Sequence, residues 1–84
     1  MRALQSIYKY LVMQRLEHAE VTASDIVIFH RLPWECSYTL AATMKYVHNS
    51  GKAIHGFRVT EVRRFKKNGS PARYTIELVT GIVE

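Results

Sequence analysis

Four histidines, one cysteine and seven carboxylates are the groups of this chain that could do covalent or metal chemistry, and their spacing argues against it. His18, His30, His48 and His55 are nowhere paired four residues apart, the spacing that lets two imidazoles on one helix face share a zinc ion. No Cys-x-x-Cys accompanies them. Cys36 falls on the inward stripe of an apolar helix pattern, where a thiol serves as a small hydrophobe rather than a nucleophile. Asp25 and Glu35 are the only acids between residues 21 and 60, too few to build a magnesium nuclease site. With no glycine-rich phosphate loop either, the expectation is a binding protein with no catalytic site, no metal and no cofactor.

The chemistry that remains is charge. The 84 residues carry a net charge of +5, from twelve Lys and Arg against seven Asp and Glu. Six of those cations, Arg58, Arg63, Arg64, Lys66, Lys67 and Arg73, fall between residues 58 and 73, where Glu61 is the only acid. Such a cluster attracts phosphate polymers or anionic membranes. The simpler reading is a solvated loop, with Lys66 and Lys67 serving solubility alone.

A second candidate surface follows from helical geometry. Cys36, Leu40, Met44 and Val47 recur at spacings of four, four and three, and Gly51 is a natural left-handed stop for a helix over about 36–50. At about 100° per residue from Leu40, Tyr38, Ala42, Lys45 and Asn49 point the opposite way, flanked by Ala41 and Tyr46. That stripe carries hydrogen-bonding groups, one cation and a small residue, where a merely solvated helix usually carries Glu and Lys. Tyr38 and Tyr46 have an alternative as packing residues against the hairpin or a second copy. Trp34 is expected as a core or inter-helix anchor.

Three further elements must position these surfaces. Leu4, Ile7, Tyr8, Leu11, Val12 and Leu16 predict an amphipathic helix over about 2–19. Thr22 or Ser24 can cap a short helix over about 23–31, with Asp25 in its first turn and Pro33 beyond its end. The β-branched run Ile26-Val27-Ile28 makes a strand the competing reading there. Alternation predicts strands over about 54–65, irregular between Val59 and Val62, and over about 72–79. Asn68-Gly69 is the turn signal between them. The fold class is α+β, three helices followed by a two-stranded antiparallel β-hairpin, in one domain over residues 1–84. Lacking repeats, linkers and a secretory apolar segment, and with a single cysteine, the chain reads as cytoplasmic.

The order helix, short helix, turn, helix, glycine, basic hairpin resembles the winged helix-turn-helix superfamily over about residues 3–79. The segment from Ser37 to Ile54 carries the resemblance best. In that superfamily a third helix often ends in a small glycine loop and enters the first wing strand through an aliphatic residue, the places held here by Gly51 and Ile54. Small phage- or plasmid-type regulators are the nearest kind, without a particular member being singled out.

The resemblance implies double-stranded DNA as partner, the third helix in the major groove and the wing on the backbone or in the minor groove. A helix fits the major groove, where base edges display distinct donor and acceptor patterns. Tyr38, Thr39, Ala42 and Lys45 are then the candidates to reach base edges. Ser37 would cap the helix or meet a phosphate. Arg64, Lys66 and Lys67 would form the wing tip, and Arg58, Arg63 and Arg73 would follow the flanking backbone. One such domain covers little DNA, so a homodimer through Tyr10, Met13 and Leu16 of the first helix is expected. The competing function is a winged helix that grips a protein partner such as a polymerase subunit, since the same fold serves both uses. RNA binding through the hairpin is a third reading, but no aromatic pair on adjacent strands supports it.

Overall fold

The computed structural model describes residues 2–64 and 71–79. Its elements run α1 (Ala3–Met13), β1 (His18–Val21), α2 (Ala23–His30), α3 (Cys36–Ser50), β2 (Phe57–Arg63) and β3 (Arg73–Leu78). The three strands form one antiparallel sheet in the order β1-β3-β2. Ile7 and Leu11 of α1, Ile26 and Val27 of α2, and Leu40, Met44 and Val47 of α3 meet its inner face, where Val21, Phe57, Val59, Tyr74 and Ile76 are buried.

The first helix is shorter than its periodicity implies. It ends at Met13 rather than about residue 19, because Arg15 takes the left-handed conformation at φ 56°. The Arg15 N–H donates to the Val12 carbonyl at 3.0 Å, and the Leu16 N–H to the Leu11 carbonyl at 2.9 Å. This is the Schellman arrangement that normally recruits glycine. α2 closes the same way. Arg31 sits at φ 55°, its N–H donates to the Ile28 carbonyl at 3.2 Å, and the Leu32 N–H donates to the Val27 carbonyl at 2.9 Å. Each arginine is followed by a leucine that is half-buried against the core, so side-chain burial offsets the cost of the left-handed residue.

Stopping α1 early frees the segment that becomes β1, and the expected two-stranded hairpin is corrected to a three-stranded sheet. Val21 pairs with Tyr74 and Ala19 with Ile76, both pairs on the inner face. His18-Ala19-Glu20-Val21 holds a single β-branched residue, so no local propensity marks it as a strand. Pairing with a distant strand makes it one.

The competition at Ile26-Val27-Ile28 is resolved as helix. The Thr22 hydroxyl accepts from the Asp25 N–H at 3.2 Å, and the Asp25 carboxylate accepts from the Thr22 N–H at 2.9 Å. This capping box fixes the start of α2 against its β-branched composition. At the other end His30 Nε2–H donates to the Ser6 carbonyl at 2.9 Å, tying α2 to α1.

The first hairpin strand also begins later than expected, at Phe57 rather than 54. Ile54 and Phe57 exchange both backbone hydrogen bonds, at 2.8 and 3.2 Å, around a two-residue turn with His55 at φ 55° and Gly56 at φ 89°. Both central residues have positive φ, as a type I′ turn demands. Gly56 has a second reason to be glycine: a Cβ there would lie 2.7 Å from Tyr8 Cε1 of α1. Further along, the register shifts between Val59 and Glu61, so Val62 returns to the inner face opposite Tyr74. Among the described residues no helix is long and apolar enough to cross a membrane.

Candidate nucleic-acid interface

α3 presents one continuous exposed stripe. Tyr38, Thr39, Ala42, Lys45, Tyr46 and Asn49 are all solvent-facing, while Leu40, Met44 and Val47 hold the opposite side in the core. Tyr38 is 72% exposed and Tyr46 62%. Thr39 offers its side chain outward while its carbonyl accepts from Thr43 Oγ1 at 2.7 Å. Ser37 departs from its expected place. It is buried, with its N–H donating to the Trp34 carbonyl at 3.0 Å, so it belongs to the wall beneath the stripe. Cys36 is half-buried rather than a full member of the core.

Trp34 needs the larger correction. Expected as an anchor, it is 59% exposed. It precedes Tyr38 by four residues, just ahead of the first turn of α3, and so extends the same outward stripe. Counting back one turn from Tyr38 would have found it; its size and aromaticity favoured burial and hid that signal.

Between the start of α3, the start of α2 and residues 71–74 lies an open cleft of about 220 Å³. Trp34, Tyr38, Ala41 and the buried Tyr74 are among its lining residues, and among the described residues none that lines it is acidic. Burial raises the Tyr74 phenol above its ordinary pKa of 10, and the nearby Arg64 guanidinium pulls it partly back.

The arginines of the hairpin divide into two groups. On the outer face of the sheet, Arg58 Nε lies 3.5 Å from a Glu77 oxygen of β3. Arg63 reaches Glu20 of β1 at 3.6 Å and Glu61 at 3.7 Å. The impression of a hairpin nearly free of acids is therefore corrected. Its own Glu77 and the unforeseen β1 bring carboxylates to two of the expected backbone-tracking residues. Arg64 and Arg73 are exposed at the hairpin's far end, and among the described residues neither is in an ion pair. Arg73 stands directly opposite Arg63 across the two strands. Lys66 and Lys67 lie outside the described residues.

Among the described residues no group of three or more His, Cys, Asp or Glu side chains is placed to hold a metal ion. Comparisons with protein-family models, with curated proteins and with solved structures return no match to this chain.

Proposed function

We propose that this chain is a winged helix-turn-helix domain that binds double-stranded DNA sequence-specifically, as a small transcriptional regulator or an accessory factor of replication or recombination. In this reading α3 enters the major groove, and the end of the β2–β3 hairpin meets the backbone or the minor groove. The order of elements supports it: two helices and a short strand lead to a third helix, which passes through Gly51 and a tight turn into an antiparallel hairpin.

The observation that carries the reading is the charge at the hairpin end. Arg63 and Arg73 face each other across the strands, with Arg64 next in the chain. Like charges directly opposite destabilise a strand pair. Only Arg63 of the three has acids beside it among the described residues. Arg64 and Arg73, in no ion pair among the described residues, are the charge left for a phosphate backbone to meet. Beside it, the α3 stripe offers hydroxyls, a small residue and Lys45, groups suited to base edges and thymine methyls.

The test is a selection of bound duplexes from random DNA at two salt concentrations. An enriched motif is expected. With Arg64, Lys66, Lys67 and Arg73 each on a phosphate, log affinity should fall against log salt with a slope of about −3 to −4. Binding controlled by salt with no motif would reduce the reading to a nonspecific DNA binder. Failure to bind any duplex would overturn it.

A second reading, a protein-interaction module or a homodimer through the first helix, has an observation of its own. Phe29 packs edge-on against Tyr10 at 5.2 Å between ring centroids, and Met13 and the 71%-exposed Ile28 are apolar side chains left in water on the same two helices. A chain that stays monomeric at high concentration in sedimentation, and binds DNA singly, would count against the dimer.

A further inference from the structure

The cleft at the start of α3 is more aromatic than groove reading requires. A helix that only reads base edges needs polar groups and small residues, whereas Trp34 and Tyr38 place two large rings in water one helical turn apart. Rings left exposed forgo the burial that aromatic residues ordinarily supply, and their stacking faces remain available. Tyr74 of β3, only 4% exposed, also lines the cleft. Its volume of about 220 Å³ is below the about 300 Å³ at which typical small-molecule pockets begin, so it suits one flat ring rather than a whole cofactor.

The electrostatics select the kind of ring. Among the described residues no acidic one lines the cleft. The nearest carboxylate on α2, that of Asp25, is held by the Thr22 N–H. On the hairpin side, Arg64 is close enough to Tyr74 to act on its phenol, whereas Arg73, next to the inward-facing Tyr74 in β3, stands on the sheet's outer face opposite Arg63. An apolar peptide side chain would have no use for that Arg64 cation. A nucleobase carries a phosphate on either side of it, and stacking on aromatic side chains with flanking cations is how proteins hold unpaired bases.

We propose that the cleft lined by Trp34, Tyr38, Ala41 and Tyr74 stacks a single unpaired nucleobase on the exposed Trp34 and Tyr38 rings while Arg64 holds an adjacent phosphate. The preferred substrate is then DNA that interrupts its own pairing, such as a duplex with an extrahelical base or a duplex–single-strand junction. This rests on the DNA-binding reading and deepens it by naming the substrate class.

Trp34 is the only tryptophan, so its fluorescence reports on this site alone. The probes are a fully paired duplex and the same duplex carrying one extrahelical adenine, each titrated into the intact chain. The bulged duplex should bind about tenfold tighter and quench Trp34, whereas the paired duplex should leave its emission largely unchanged. Ala41→Leu, which fills the cleft without touching a charge, should abolish the preference. Tyr38→Ala, at a solvent-facing position where folding is not at stake, should reduce it. Equal affinity for the two duplexes with no quenching would overturn the nucleobase site and leave duplex binding standing. Failure of both duplexes to bind would instead bring down the DNA reading itself.

Discussion

The outer face of the sheet and the end of its hairpin are built from the same residue types, yet they handle charge in opposite ways. On the sheet face Arg58 and Arg63 lie within ion-pair distance of Glu77, Glu20 and Glu61, so the cations are largely answered within the molecule. At the outer end of the same strands, Arg73 opposite Arg63 and Arg64 next in the chain are exposed without such partners among the described residues. Exposed pairs like those on the sheet contribute about 0–1 kcal/mol each and are screened by salt. The difference teaches where affinity for an anion can come from. A count of arginines along the hairpin overstates it; their pairing corrects it.

The sharpest way to break this comparison is to remove cations from each region in turn. Arg64→Ala with Arg73→Ala should weaken duplex binding about 100-fold at low salt, taking roughly tenfold for each lost charge-assisted phosphate contact. Arg58→Ala should weaken it by no more than about twofold, since its pairing with Glu77 already spends much of its charge. Fluorescence anisotropy on one labelled duplex checks both, and equal losses would erase the distinction between the two regions.

The α3 stripe should respond differently from either. Replacing Tyr38 and Lys45 by Ala should lower discrimination between the selected motif and a scrambled one by about tenfold, while reducing affinity for the scrambled duplex far less. A uniform loss across sequences would move α3 from reading bases to holding the backbone.

A gentler change should sharpen the comparison by making the sheet resemble the hairpin end. Glu20→Gln removes one of the two carboxylates beside Arg63 and should tighten binding to any duplex by about two- to fivefold, with little change in thermal stability. Weaker binding would mean that Glu20 orients Arg63 usefully for DNA.

The smallest effect concerns Tyr74, which lies under both surfaces. Its folded-state pKa is raised by burial, so the folded state holds the phenolic proton more tightly than the unfolded chain does. Stability from this residue is fully present below pH 10 and is lost as pH rises from there through the raised folded value. Tyr74→Phe should flatten that alkaline loss. The difference in tyrosinate absorbance between the parent chain and Tyr74→Phe should place the missing phenol above pH 10; a missing component at or below pH 10 would contradict the shift.

Legibility followed the range of the interactions involved. The span of α3 could be read because Leu40, Met44, Val47 and Gly51 encode both its buried side and its stop within one short segment. The irregularity in β2 could be read too, since inward residues fall out of step between Val59 and Val62. The end of α1 was hidden because Arg15, not glycine, takes the left-handed position. The exposure of Trp34 was hidden because composition alone argues that a large ring is buried. The acids on the sheet's outer face were hidden most thoroughly, since Glu20 meets Arg63 only once β1 pairs with β3.

By itself the sequence determined the basic balance, the three helical patterns, the alternation of β2 and β3 and the outward stripe of α3, all of which depend on residues a few positions apart. Only the tertiary structure decided that residues 18–21 are a strand, that two hairpin arginines are matched by glutamates, and that Trp34, Tyr38 and Tyr74 share one cleft. The physical reason is the same in each case. Helix periodicity and capping act through neighbours in the chain, whereas strand pairing, ion pairing and cleft formation join residues that the chain separates by tens of positions.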